Sequence, residues 1–301
     1  MLFRSVVQYG TGGPDVLKVE DRPQPTRKPG EVLVRTEAIG VPFYETQLRS
    51  GQIPAGGEPA IFGHEAAGIV LEADDGSLRG RRVVTVSFTG GAYAEVVAAS
   101  QHTLVPDGLT LEQAVAAAVP ASVALALMKT ADVGAGETVL VEAASGAIGG
   151  YLARLAERRG ARVVTTAGNG NADIDHRDPD WRQRVPEGID VVFESIGGAR
   201  AAELTAKVAP HGRILAYGLL SGEFPTFPVA GLIARGITLI GFGGPEAYGK
   251  RVAAARTEAL DLVADGTLTP VIDRTYPLAE AAAAHARVES REGVGKVVLV
   301  P

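Results

Sequence analysis

Over roughly the first 110 residues, apolar positions come in short runs cut by Gly and Pro. Glu31 to Glu37 alternates, with Val32, Val34 and Thr36 on one side and Leu33 and Arg35 on the other. That is the period of a strand with one face in a core. Ala66 to Leu71 and Arg82 to Val86 are compact runs rich in β-branched residues, and Ala92 to Ala98 follows the Gly90-Gly91 pair as a further strand. Few long helical periods occur here, so the stretch reads as an antiparallel, barrel-like β domain.

Near Thr110 the pattern changes. Leu111 to Met128 is rich in alanine and mostly helical, with Pro120 expected to end or kink one segment. From Thr138 onward short apolar runs alternate with helical stretches. The runs are Thr138–Val141, Arg162–Thr166, Asp190–Phe193, Arg213–Tyr217 and Thr238–Phe242; the helices include Ile148–Arg159 and Arg200–Val208. Such a rhythm predicts βαβ units and a doubly wound parallel sheet. A helix over Leu278–Glu289 and a strand over Lys296–Val300 close the chain, and that strand is expected to return to the N-terminal domain. The reading is therefore an α/β protein, with residues 1–115 and 266–301 forming the β-barrel domain and residues 116–265 the parallel-sheet domain.

Composition narrows the function. The 301 residues are 46% hydrophobic, enough for one large core or two ordinary ones. Glu112, Gln113 and Pro120 interrupt the longest apolar stretch too often for a bilayer span, and Met1 to Gln8 lacks the apolar run of a secretory signal. A cytoplasmic protein with no membrane partner is expected. The net charge of −6 is spread along the chain without a basic run, which argues against nucleic acid. Cysteine is absent, so disulfides, thiolate-bound metals and a thiol nucleophile are excluded.

The most informative segment follows Thr138–Val141. Ala143-Ala144-Ser145-Gly146-Ala147-Ile148-Gly149 joins that strand to the helix beginning at Ile148. Gly146 permits the turn and lets backbone approach a pyrophosphate, Gly149 lets the helix pack against the sheet, and the helix N-terminus faces the phosphates. Glycine turns of this kind also occur in α/β proteins that bind no dinucleotide. The next strand, Arg162 to Thr166, ends without the acidic residue that would hold the ribose 2′-hydroxyl of NAD. A neutral end favours NADPH over NADH, with His176, Arg177 and Asn169 as candidates to meet a 2′-phosphate; all three serve equally well as ordinary loop residues.

Five blocks resemble the quinone oxidoreductase (zeta-crystallin-like) branch of the medium-chain dehydrogenase/reductase superfamily. Gly40 to Gly51 resembles its G-[VI]-N-x-x-[DE]-x-x-x-R-x-G block, and Gly63-His64-Glu65-Ala66-Ala67-Gly68-Ile69-Val70 resembles its G-x-E-x-A-G-x-V stretch. The others are Ala143 to Gly149, Asp190 to Gly198, and Gly295 to Pro301. The resemblance implies a GroES-like β-barrel substrate domain plus a Rossmann domain, with the cleft between them. It implies NADPH-dependent hydride transfer to a small-molecule quinone or to the activated double bond of an enone or enoyl thioester. It also implies a homodimer, with Thr238 to Phe242 at the pairing edge, although an interior strand suits that run nearly as well. Carried over by position, Gly146, Ala147, Ile148 and Thr166 line the dinucleotide. Ser195, Ile196, Tyr217, Gly218 and Leu219 lie near the nicotinamide and its ribose, and Phe242 and Gly243 close over the ring.

Several positions depart from the family pattern. Pro42 stands where the family has Asn, and Ile53 where enoyl-reducing relatives have an acidic tyrosine. Tyr44 is the nearby phenol left to act as the acid; it fits equally as a lining aromatic. Pro42, Tyr44, Ile53 and His64 are the expected substrate-side residues. Zinc-dependent relatives share Gly63-His64-Glu65, but one His and one Glu without cysteine are too few for a zinc site, so no metal is expected. Ala167 to Asp173 is too short and glycine-rich for the helix the family places there, which opens the adenosine side. Two rivals remain: an enzyme of specialised metabolism with no net reduction, and a non-catalytic binding protein.

Overall fold

The computed structural model describes residues 1–54, 60–87, 89–243 and 245–301. It forms two compact units, Met1–Val119 with Arg256–Pro301, and Pro120–Ala255. In chain order come β1 (Leu2–Gln8), β2 (Leu17–Pro23), β3 (Val32–Val41), α1 (Phe43–Ser50), β4 (Ala60–Ile61), β5 (Glu65–Glu72), β6 (Arg82–Val86), β7 (Val96–Ala99) and β8 (Gln101–Leu104). There follow α2 (Leu111–Ala131), β9 (Thr138–Val141), α3 (Ala147–Arg158), β10 (Arg162–Ala167), β11 (Ile174–Asp175), α4 (Trp181–Arg184) and β12 (Ile189–Glu194). The rest are β13 (Val208–Ala216), α5 (Val229–Arg235), β14 (Thr238–Gly241), α6 (Pro245–Ala264), β15 (Ile272–Pro277), α7 (Ala281–Ser290) and β16 (Lys296–Val300).

In the first unit β3 is the organising strand. Its first half pairs with β7, its second half with β16, and β5 runs along its other side. Register shifts at Leu33/Val34 and Thr36/Ala38 bend it between those partners. The bend explains why the expected alternation fails: Leu33 is buried along with Val32 and Val34. The terminal strand β16 does return to this sheet, as expected, and the parallel partner β15 comes with it.

The second unit carries six strands in the order β11-β10-β9-β12-β13-β14, all parallel. Val139, Leu140, Val141, Val191, Val192 and Phe193 are fully excluded from solvent, as strands covered on both faces require. Successive strands step outward from β9 in one direction through β10 and in the other through β12. The chain order therefore reverses between β9 and β12, and the crevice at such a switch point is where open α/β sheets bind ligands.

Two helical expectations change. α2 runs unbroken through Pro120; burial of Ala117, Ala121, Leu125, Leu127 and Met128 offsets the missing hydrogen bond. By length and composition α2 could cross a membrane, but 83% of its most apolar window is buried inside the protein. The helix expected over Arg200–Val208 is a 3-10 segment, Ala199–Ala206.

Candidate active site

All fourteen residues assigned to the dinucleotide lie in the second unit, at or beyond the carboxyl ends of its strands. After β9 the chain turns through Ala143, which takes a left-handed φ of 51°. Gly146 is the N-cap of α3, and no side chain caps the helix there, so its first amides stay open to an acceptor. Gly149 is a steric necessity: a Cβ there would stand 2.4 Å from the Ala143 carbonyl oxygen. Ala147 and Ile148, half-buried, form the first turn. This is the cradle a pyrophosphate needs.

The loops after β12 and β13 are laced together. Tyr217 N–H donates to Glu194 O at 3.0 Å, Leu220 N–H to Ser195 O at 3.1 Å, and Ser221 N–H to Ile196 O at 2.7 Å. Gly218 packs so tightly on Ser195 that a Cβ would lie 2.5 Å from its carbonyl oxygen. Ser195, Ile196, Tyr217, Gly218 and Leu219 thus form one surface. Phe242 joins through its N–H to Ala216 O at 3.1 Å. Its ring is buried against Tyr248, centroids 5.4 Å apart, and under the Arg251 guanidinium, so the exposed neighbour is Gly243.

At the end of β10 no helix forms over residues 168–173. Thr166 Oγ1 lies 3.5 Å from His176 Nδ1, and a Cβ on Gly168 would stand 2.7 Å from His176 Nε2 and 3.5 Å from Arg177 Cγ. Asn169 follows directly. Arg177 is exposed and paired with Asp175 at 2.6 Å, which holds the Asp175 carboxyl down at about 2. β10 itself ends without an acid, but Asp173 reaches back to it, its Oδ2 accepting from Thr165 N–H at 2.9 Å and Thr165 Oγ1 at 2.8 Å. The Arg177–Asp175 pair presents a guanidinium to solvent.

The substrate-side residues gather in the first unit around α1. Pro42 is its N-cap, Tyr44 its second residue, and Ile53 N–H donates to Gln47 O at 3.2 Å just past its end. Tyr44 is exposed, and its ring centroid is 5.3 Å from that of His64. Beside them stands Glu45, the acidic position of the Gly40–Gly51 block, to which the sequence assigned no role. It is fully buried; Oε1 accepts the His64 N–H and faces His64 Nδ1, both at 2.8 Å, and Oε2 accepts the Tyr93 hydroxyl at 2.6 Å. Having spent its proton on Glu45, Tyr93 must accept from His285 Nε2 at 3.0 Å, which fixes that tautomer. Burial lowers the His64 pKa, but hydrogen bonding and charge from Glu45, with Glu65, outweigh it and leave it raised. Burial depresses His285 to about 4, keeping it neutral. The sequence signal for Glu45 was its match to the acidic position of the Gly40–Gly51 block; what it would hold was not legible there.

Comparison with known proteins agrees with this architecture. The family model described as the alcohol dehydrogenase GroES-like domain matches residues 28–109, and that described as zinc-binding dehydrogenase matches residues 171–299. Together they define a two-domain dehydrogenase with a GroES-like domain and a Rossmann domain. A quinone oxidoreductase of Pseudomonas aeruginosa is 30% identical over 96% of this chain and 97% of its own. Among solved structures, mycobacterial Rv1454c complexed with NADPH has a TM-score of 0.88 and 32% identity, covering 99% of this chain and 100% of that one. Escherichia coli quinone oxidoreductase complexed with NADPH has a TM-score of 0.90 at 25% identity, with the same coverage. The chain belongs to the quinone oxidoreductase family of medium-chain dehydrogenases/reductases.

Zinc fits this chain poorly. Among the described residues no group of three or more His, Cys, Asp or Glu is placed to hold a metal. Of Gly63-His64-Glu65, Glu65 Oε2 is held by Lys296 Nζ at 2.8 Å, and His64 brings a single ring nitrogen with no cysteine in the chain to join it. The dinucleotide fits well, because the uncapped turn of α3 and the laced loops leave backbone amides and small residues where phosphates and a ring would lie.

Proposed function

We infer that this protein is an NADPH-dependent reductase that delivers hydride to a small quinone or to an activated double bond without a metal. The observation carrying this reading is the uncapped glycine turn at the switch point of the parallel sheet, with the exposed Arg177 beyond the neighbouring strand. Bound nicotinamide supplies the hydride. The residues after β9 hold the pyrophosphate, and Arg177, His176 and Asn169 meet the 2′-phosphate. Ser195, Ile196, Tyr217, Gly218 and Leu219 orient the nicotinamide end, with Gly243 beside them.

With Pro42 and Ile53 in place of polar groups, Tyr44 is the phenol left to protonate an enolate, and a quinone, whose reduced oxygen takes a proton from solvent, is the better-suited acceptor. β14 ends the sheet among the described residues and exposes Leu239, so a second copy pairs there; sedimentation tests that dimer.

The deciding experiment is a fluorescence titration with NADPH and with NADH, followed by NADPH consumption with a small quinone and with an enone. Saturable binding that is tighter for NADPH, with turnover on either acceptor, is expected. Absence of binding to both cofactors sinks the reading.

A further inference from the structure

Two buried carboxyl groups stand at the switch point. Glu142 directly follows β9, Glu194 ends β12, the two strands are paired neighbours, and both residues are fully excluded from solvent. Each holds the turn that follows β12. Glu142 Oε2 accepts the N–H of Ser195 at 2.9 Å and of Ile196 at 3.2 Å, and Glu194 Oε1 accepts the N–H of Gly197 at 2.5 Å. The other two oxygens, Glu142 Oε1 and Glu194 Oε2, are buried without a donor. The register that pairs Val141 with Phe193, carried on by the Glu142 N–H donating to Phe193 O at 3.2 Å, sets the two acids side by side on neighbouring strands.

Two ionised carboxylates so placed would oppose acceptor to acceptor with no proton between them. A single proton resolves the arrangement. Carried on Glu142 Oε1, it is donated to Glu194 Oε2, while Glu142 Oε2 and Glu194 Oε1 keep their backbone amides. All four oxygens are then satisfied, as buried polar atoms in folded proteins generally are.

We propose that Glu142 and Glu194 share one proton and act together as a positioning pair, holding the Ser195–Gly197 turn in the form that receives the nicotinamide end of the dinucleotide. The role in cofactor binding rests on the reading given above. The shared proton also leaves one negative charge, rather than two, beneath an anionic ligand.

The surroundings agree. Burial, reinforced by the charge of Glu194, pushes the Glu142 carboxyl up to about 8, and burial raises Glu194 as well. Arg182 of α4 faces the pair and favours ionisation, but it is itself buried and does not outweigh the desolvation. Tyr217, from the loop after β13, is the other titratable group at hand, and burial keeps it protonated. The Ser195 hydroxyl donates to the Glu142 carbonyl oxygen at 3.3 Å.

Infrared spectroscopy and NADPH titration of the full chain test the pair. The wild type should show the band of a protonated buried carboxyl at neutral pH, lost above about pH 8 and missing in Glu142→Gln. NADPH binding should weaken about tenfold as that proton leaves, one pKa unit of differential interaction being worth a factor of ten. Glu142→Ala should weaken binding about tenfold at neutral pH by stranding amides and Glu194. Glu142→Gln, whose amide donates in place of the proton, should recover most of that loss and remove the alkaline weakening. In Glu142→Gln/Glu194→Gln one amide hydrogen must face the Gly197 N–H, so the loss returns. No protonated carboxyl at neutral pH, or an alkaline weakening as steep in Glu142→Gln as in the wild type, overturns the proposal. A band that Glu142→Gln removes, in a protein that binds no NADPH, supports the shared proton and overturns the cofactor reading.

Discussion

The two units bury acid groups by opposite means. In the β unit each buried acid meets donors brought from elsewhere in the chain. Glu65 pairs with Lys296, both 3% exposed, and Glu45 is served by His64 and Tyr93. In the parallel-sheet unit two acids face each other and the missing donor is a proton. The first arrangement stores fixed charge that holds distant strands together. The second makes a protonation state part of the site, because desolvation and like charge together favour a neutral carboxyl.

The sharpest way to break the first arrangement is Lys296→Met. It leaves Glu65 buried without its cation and should cost about 3–5 kcal/mol by urea denaturation. Adding Glu65→Gln should return much of that loss; a single variant as stable as the wild type would show that the pair is not what holds β16 against β3 and β5.

Stability against pH sharpens the second. Glu142 binds its proton more tightly folded than unfolded, so its contribution is full below the ordinary carboxylate range, and it is lost as pH rises to about 8. The slope should approach 1.4 kcal/mol per pH unit at its steepest. His64, also raised, acts in the same direction, so the comparison to make is with Glu142→Gln, which should flatten the curve. Tyr93→Phe strands Glu45 Oε2 and should cost about 1–3 kcal/mol, read as a shift in denaturation midpoint. Arg177→Ala should narrow the preference for NADPH over NADH about tenfold, as loss of a charge-assisted hydrogen bond would. Smallest of all, Tyr44→Phe should change stability by less than about 0.5 kcal/mol; unchanged turnover on an enone would remove its role as acid.

What pattern reveals depends on where each element hides its polar groups. β9, β6 and β16 read true to the residue because their apolar runs are short and bounded by turn residues. α1 was missed because its buried face is Glu45, Thr46, Gln47 and Arg49, the reverse of an apolar stripe. β1, β2 and β15 carry Arg, Lys, Glu or Asp at intervals that break the strand period. Leu33 alternates with Val32 and Val34 in the sequence, and the register shift beside it accompanies its burial along with them.

The sequence by itself determined the succession of a β domain and a βαβ sheet, the glycine turn at Gly146 and Gly149, and the lack of an acidic side chain within β10. Each of these is local, set by a few neighbouring residues and the backbone they allow. Only the tertiary structure decided which buried acid would meet which donor. Glu142 and Glu194 are 52 residues apart in number, and Glu65 and Lys296 lie 231 apart. Nothing in the local chain says that the first two must share a proton while the last two share a charge. That choice is made by strand pairing and by the exclusion of water, which bring groups from distant segments to within a hydrogen bond of each other.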